Sequence, residues 1–312
     1  MEMRKFSLLC IACLLLMAAC NKKQETADEQ TTATPPETAA SMTIADPAFQ
    51  TPECVLHDRA GDVYLVSNIN GGPGEKDNNG FISRVSPDGA ATVGKWIEAG
   101  VNGVALDAPK GMTIQGDTLY VADIDNVRLF DRNTGAPLAS WPIAGASFLN
   151  DMATGPDGAV YVSDSGFKAT PEGFSETGSD AVYRLGANGA ATAVAKDPSL
   201  GRPNGLFVDG NSIIVVTFGT GQVYRLDAAT GAKTDMPPPP AGQLDGVVRL
   251  ADGSLLVSSW AGSAVYRLIG EDAYGTAVDS VTSPADIGYD TQRGRVLIPS
   301  FMDNKIVVRE VR

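Results

Sequence analysis

The sequence predicts an all-β chain, a six-bladed β-propeller with four-stranded blades. Three observations lead there. One motif recurs: Val182-Tyr183-Arg184-Leu185 returns as Val223-Tyr224-Arg225-Leu226 and again as Val265-Tyr266-Arg267-Leu268. Each copy follows a β-rich run, such as Ala159-Val160-Tyr161-Val162-Ser163 or Ser254-Leu255-Leu256-Val257-Ser258, and branched and aromatic residues of this kind suit a pleated, half-buried surface. The turns recur too: Pro156-Asp157-Gly158, Asp209-Gly210-Asn211 and Ala251-Asp252-Gly253 precede those runs, and these residue types accept the positive φ of tight hairpins. No stretch of residues 46–312 sustains the 3.6-residue apolar period of a helix.

Three weaker copies complete the set. They run from Val63-Tyr64-Leu65-Val66-Ser67 to Phe81-Ile82-Ser83-Arg84-Val85, from Leu119-Tyr120-Val121-Ala122 to Val127-Arg128-Leu129-Phe130, and from Val296-Leu297-Ile298 to Ile306-Val307-Val308. Six copies spaced by roughly 40 residues or more fit the blades of a propeller. A two-sheet sandwich would not repeat one unit six times. Residues 305–311 read as the third strand of the last blade. Its fourth strand is therefore expected from residues 40–45, which would join the two ends of the ring.

Ahead of the repeats lies a different kind of sequence. Arg4 and Lys5 precede an almost wholly apolar run over residues 7–19, too short to cross about 30 Å of hydrocarbon as a helix. The run ends in Leu16-Met17-Ala18-Ala19-Cys20, which resembles a bacterial lipoprotein signal. That resemblance implies loss of residues 1–19 and a lipid on Cys20, tying the chain to a membrane of the bacterial cell envelope. Residues 20–45, rich in Thr, Ala, Glu and Pro, lack the apolar surface to offset their ordering entropy and read as a disordered tether. Residues 46–312 are the propeller. Of the four cysteines, Cys10 and Cys13 fall in the signal and Cys20 is the lipidation site. Cys54 is left without an intramolecular partner, and a buried, inert thiol is its expected state. A net charge of −13 argues against nucleic acid and is compatible with binding cations. A monomer acting on a small molecule is expected.

Aligning the starts of the innermost strands gives one column: Pro52-Glu53-Cys54, Pro109-Lys110-Gly111, Leu149-Asn150-Asp151, Pro203-Asn204-Gly205, Leu244-Asp245-Gly246 and Pro284-Ala285-Asp286. Equivalent positions on radial blades converge on the axis, so Glu53, Lys110, Asn150, Asn204, Asp245 and Ala285 should form a ring. Four of the six are oxygen donors. Two converging carboxylates without a counter-charge repel and lose solvation, and a hard divalent cation resolves the conflict. An all-oxygen set suits Ca²⁺ or another divalent cation better than zinc. Glu53, Asn150, Asn204 and Asp245 are the candidate metal ligands.

The strand starts bearing Glu53, Asn150, Asn204 and Asp245, with Asn150-Asp151 ahead of Pro156-Asp157-Gly158, resemble the senescence-marker-protein (regucalcin)/gluconolactonase-like family. The resemblance covers the chain from about residue 46. It implies that these four residues hold a divalent metal and that Asp245 is also the catalytic general base in lactone hydrolysis. Two departures bear on substrate. Family lactonases acting on sugars place Arg where this chain has Phe148, and the related paraoxonases use a His dyad, whereas His57 is the single histidine here. His57 lies deeper on the first inner strand and is read as a core residue.

Lys110 is open to two readings: it holds a substrate carboxylate or oxyanion beside the metal, or it pairs with Glu53. Two long loops, residues 68–80 and 165–180, should rim the mouth of the channel with the ring at its floor. Phe148 and Trp260 are candidate substrate-binding residues there, with Phe218 and Phe301 nearby. Two functions are therefore expected to compete: a metal-dependent hydrolase of a lactone or related ester, and a non-catalytic, calcium-stabilised propeller that binds a ligand or partner.

Overall fold

The recurrent Val-Tyr-Arg-Leu segments are the third strands of blades. In the computed structural model, which describes residues 41–311, six four-stranded antiparallel sheets follow one another along the chain. The signal residues 1–19, the lipidation site Cys20 and most of the tether lie outside the described residues. Blade 1 comprises Pro52–Asp58, Val63–Asn68, Phe81–Val85 and Thr92–Glu98; blade 2 comprises Pro109–Gln115, Thr118–Asp123, Asn126–Asp131 and Pro137–Pro142. Blade 3 is built from Leu149–Thr154, Val160–Asp164, Ala181–Leu185 and Ala191–Lys196, and blade 4 from Pro203–Asp209, Ser212–Thr217, Val223–Asp227 and Lys233–Met236. Blade 5 uses Leu244–Arg249, Leu255–Ser259, Ala264–Ile269 and Ala273–Val278. One short 3₁₀ turn, Pro198–Leu200, is the helical element among the described residues.

The motif reads as it does because a blade is covered on both faces. Tyr183 and Leu185, with Met152 of their own blade, pack toward Val127 and Leu129 of blade 2. Val182, on the opposite face, packs toward blade 4 with Leu206, Val215 and Tyr224. Only Arg184 of the four reaches solvent. Each such apolar side chain contributes roughly 1.5–3 kcal/mol on burial. The Tyr224 hydroxyl, fully buried, donates to Leu200 O at 3.1 Å.

Blade 6 has Gly288–Asp290, Arg295–Ser300 and Lys305–Glu310 from the C-terminal end, and Ser41–Ile44 as its outer strand. Ser41↔Arg309 through Ile44↔Ile306 pair antiparallel. Thus the folded domain includes residues 41–44, which composition alone placed in the tether. Polar groups reinforce the closure. Arg293 bridges Asp62 and Asp290, and Tyr64 Oη donates to Asp290 Oδ2 at 2.7 Å. His57 fills this same closure, 3.3 Å from Asp62 and 3.5 Å from Asp290 and edge-on to Tyr64, which is the core role expected of it.

Candidate functional site

The local backbone explains why the ring residues point inward. In blades 1 to 5 the innermost strand carries an irregularity at the same place: Pro52↔Asn68 is followed by Val55↔Val66, and the intervals Pro109/Met112, Leu149/Met152, Pro203/Leu206 and Leu244/Val247 repeat it. Two residues on the inner strand thus oppose one on the next, a bulge that bends the strand and re-aims the extra side chain. The two residues at each bulge are Glu53-Cys54, Lys110-Gly111, Asn150-Asp151, Asn204-Gly205 and Asp245-Gly246. In three blades a serine on the second strand accepts the N–H of the second bulge residue: Ser67 from Cys54, Ser163 from Asp151, Ser258 from Gly246, at 2.8–2.9 Å. Two of these hydroxyls donate onward to the next blade, Ser163 to Asn204 O and Ser258 to Ala285 O.

The glycines at the second position are a packing requirement. A Cβ on Gly205 would sit 2.3 Å from Asp245 O, and one on Gly246 2.3 Å from Ile287 N. The inner strands could not approach the axis so closely with side chains there.

The bulges bring Glu53, Lys110, Asn150, Asn204 and Asp245 to one cavity of about 300 Å³. Ala285, the sixth position of the column, is buried but does not line it. The five are nearly inaccessible, from 1 % exposed at Lys110 to 7 % at Asn150. Asn150 Nδ2 donates to Ser165 Oγ at 3.0 Å, which leaves its oxygen as the end outside that bond. Trp260 Nε1 donates to Asp245 Oδ2 at 2.7 Å, so Trp260 orients the carboxylate as well as lining the cavity. On the residues that line the cavity, three oxygens are buried with no hydrogen-bond partner: Glu53 Oε2, Asn204 Oδ1 and Asp245 Oδ1. Orphaned buried acceptors are costly, about 1–3 kcal/mol each, and three on residues that line one cavity make a donor set whose chemistry a hard cation would fit. Among the described residues no three His, Cys, Asp or Glu side chains cluster as a metal group. The donor set rests on two carboxylates and two amides.

Electrostatics follow from burial. Desolvation, then the charge of Asp245, drives the Glu53 carboxyl well above the usual range, with Lys110 opposing. Burial lifts Asp245 to about 7 against the hydrogen bonds from Trp260 and Asn204. Burial lowers Lys110 to about 8, with Glu53 opposing. Its ammonium donates to Ala108 O at 3.0 Å and lies 4.4 Å from the Phe148 ring centre. The geometry departs from direct pairing with Glu53.

Below the ring is a second layer, made by the residues that follow the ring positions in the same column. Asp151 and Asp286 are buried beside Cys54. Asp151 accepts from the Met152 and Leu206 amides, both at 2.6 Å. Burial takes Asp151 to about 7 and Asp286 well above its usual value, the latter helped by the charges of Asp151 and Glu53. The Cys54 thiol is likewise pushed up by burial and carries no disulfide.

The walls above the ring come from loops between second and third strands. Phe218, Trp260 and Phe301 follow the second strands of blades 4, 5 and 6, and Ile69 and Pro73 come from blade 1. Residues 165–180 are not an open loop. They form a two-stranded hairpin, Phe167–Thr170 with Gly173–Glu176. Pairing Ala169 with Phe174 puts Phe174 and Phe167 on one face, because side chains two apart on a strand share a side. Both phenylalanines line the cavity, and neither was singled out from sequence. Two aromatics flanking Pro171-Glu172 were the available signal.

Six radial four-stranded blades with a cavity walled by the loops between their strands define a β-propeller. More particularly, residues 52–289 match the SMP-30/gluconolactonase/LRE-like region, and the chain belongs to that family. No curated protein matches it. Among solved structures, a gluconolactonase from Xanthomonas campestris is similar at 19 % identity and TM-score 0.66, over 88 % of this chain and 90 % of that one. Regucalcin from Agrobacterium tumefaciens, a calcium-binding protein, gives 19 % and 0.61 over 88 % and 96 %. Virginiamycin B lyase from Staphylococcus aureus gives 14 % and 0.59 over 88 % and 99 %. At these identities the likeness is one of fold.

Proposed function

We propose that this gluconolactonase-like propeller is a divalent-metal-dependent hydrolase of a lactone or related ester. The observation that carries the reading is the set of three partnerless buried oxygens on Glu53, Asn204 and Asp245 around one cavity. Asn150 completes a donor set suited to calcium. Held there, the ion supplies Lewis-acid polarisation of a carbonyl oxygen. Asp245 is the general base. Trp260 donates to its Oδ2 and fixes the orientation of the carboxylate; with a cation held beside it the carboxyl would lie below its metal-free value of about 7, and so be ionised at neutral pH and able to take a proton from water. Lys110, shielded from solvent beside Glu53 and above Phe148, offers positive charge to an oxyanion. Burial of this whole group excludes bulk water and strengthens each of these interactions.

The chain is further proposed to act as a monomer in the bacterial envelope, held by a lipid on Cys20. A panel of lactones and aryl esters, assayed in calcium and then in chelator, tests the activity. Turnover that is lost in chelator and lost in Asp245→Ala is expected. Calcium-dependent stabilisation with no hydrolysis anywhere in the panel would replace this reading with a binding propeller.

A further inference from the structure

The cavity is polar only at its floor. One flank is an aromatic trio from blade 3: Phe148, Phe167 and Phe174, with ring centres 5.7–6.0 Å apart and mostly edge-to-face. The other joins blades 4, 5 and 6: Phe218 lies 5.6 Å from Trp260, which lies 5.1 Å from Phe301. The donors near these walls are already engaged. Trp260 Nε1 is committed to Asp245, and the Lys110 ammonium is turned to Ala108 O and the Phe148 face.

These walls discriminate between two kinds of lactone. A polyhydroxylated ring must strip water from each hydroxyl, at roughly 1–3 kcal/mol for every one left unpaired, and the aromatic flanks return nothing. An alkyl or aryl substituent gains about 25 cal/mol for each Å² it buries there. Phe174 adds an independent sign. It belongs to the core of no blade, yet it is a phenylalanine left 51 % exposed on the hairpin that overhangs the mouth. The blade 1 loop braces this hairpin, since a Cβ on Gly74 would touch Ala169 and Phe174.

We propose that the site takes a hydrophobic lactone or ester bearing an alkyl or aryl group, not a sugar lactone, and that the Phe167–Thr170/Gly173–Glu176 hairpin is its specificity element. This rests on the hydrolase reading above, but the ligand class can fail or stand separately.

The experiment compares two δ-lactones of one ring size, one carrying a pentyl chain and one polyhydroxylated, in the calcium-loaded protein. In parallel, calorimetry measures binding of the pentyl-substituted lactam, which resists hydrolysis. Variants are Phe174→Ser and Phe174→Leu. Phe174 lies outside the blades, so both should keep the wild-type melting temperature. The pentyl lactone should show at least a ~30-fold higher kcat/KM. Phe174→Ser should cut that preference about tenfold, through KM and lactam affinity and not kcat, with Phe174→Leu restoring most of it. Preference for the polyhydroxylated ring would overturn the ligand class and leave the hydrolase intact. So would an unchanged preference in Phe174→Ser, or no lactam binding. Lactam binding that Phe174→Ser weakens, with neither lactone hydrolysed, would sink the hydrolase and uphold the ligand class.

Discussion

Replacing Asp245 by Asn separates the energetic role of the ion from its chemical one. The side chain is 4 % exposed, its Oδ2 is satisfied by Trp260, and its Oδ1 has no partner. The amide oxygen can still accept from Trp260, and the substitution removes the charge while keeping the shape of the side chain. Without metal at pH 8, wild type must hold an ionised carboxylate whose pKa has risen to about 7 from the ordinary 3.8. At about 1.4 kcal/mol per unit this costs on the order of 4 kcal/mol. In chelator, therefore, Asp245→Asn should melt higher than wild type, by up to about 8 °C at roughly 2 °C per kcal/mol for a domain this large. Calcium at about 100 times its dissociation constant should then stabilise wild type by about 2.7 kcal/mol. Losing a charged ligand weakens the variant's affinity by on the order of 100-fold, removing most of that gain. The assay is differential scanning fluorimetry of both proteins in chelator and in 1 mM calcium, with hydrolysis followed in the calcium arm. The gap between them should close or reverse on adding calcium, by about 5 °C. A gap that ignores calcium, or no gap in chelator, refutes the claim that Asp245 is an uncompensated charge awaiting a cation.

Three further outcomes follow from the same geometry. Burial raises Asp151 to about 7, so its folded form binds a proton more tightly than the unfolded chain. That stability is full below about pH 4 and is lost as pH rises through 7, with Asp245 acting in the same direction, and the metal-free melting temperature should fall over that window, at up to about 1.4 kcal/mol per pH unit for each such group. Asp62 and Asp252, lowered to about 2 by their hydrogen bonds with Arg293 and Ser254 respectively, act the opposite way and only below about pH 4. A flat profile between pH 4 and 7 would mean that Asp151 and Asp245 are not desolvated as the structure has them. Trp260→Phe keeps an aromatic wall but removes the donor that lowers Asp245. The acid limb of kcat/KM should move up by about half to one pH unit, with a loss of about 2–6 °C in melting temperature for the carboxylate oxygen left without its donor; an unmoved limb would deny Asp245 the role of base. Starting the chain at residue 46 deletes Ser41–Ile44, whose Ile44 is 5 % exposed against Tyr64, Val85 and Ile306. Equilibrium denaturation should show a loss of about 3–5 kcal/mol, with aggregation through the bared edge of Lys305–Glu310; full stability in the shortened chain would refute the strand's closing role.

The fold was legible because a propeller writes one unit six times. Val182, Val223 and Val265 repeat with their Tyr-Arg-Leu because every blade offers the same two covered faces. Residues 40–45 could be assigned to the last blade by counting, since residues 305–311 ended a blade one strand short. The convergence of Glu53, Lys110, Asn150, Asn204 and Asp245 was equally legible, because equal places in equal blades must face the axis. What the column did not reveal was what each side chain does on arrival. Lys110 met Ala108 O and Phe148 instead of Glu53, and Trp260 became a hydrogen-bond donor to Asp245.

Sequence by itself therefore determined the repeat, the closure and which side chains meet, since these depend on periodicity and local turn chemistry. Tertiary structure alone decided the walls. Phe167 and Phe174 reach the cavity through the register of one hairpin, and Phe218, Trp260 and Phe301 through the packing of loops from three blades. It likewise decided the loneliness of Glu53 Oε2, Asn204 Oδ1 and Asp245 Oδ1. Neither is written locally: a loop's aim depends on neighbours far away in the chain, and a buried oxygen is orphaned only by what surrounds it in space.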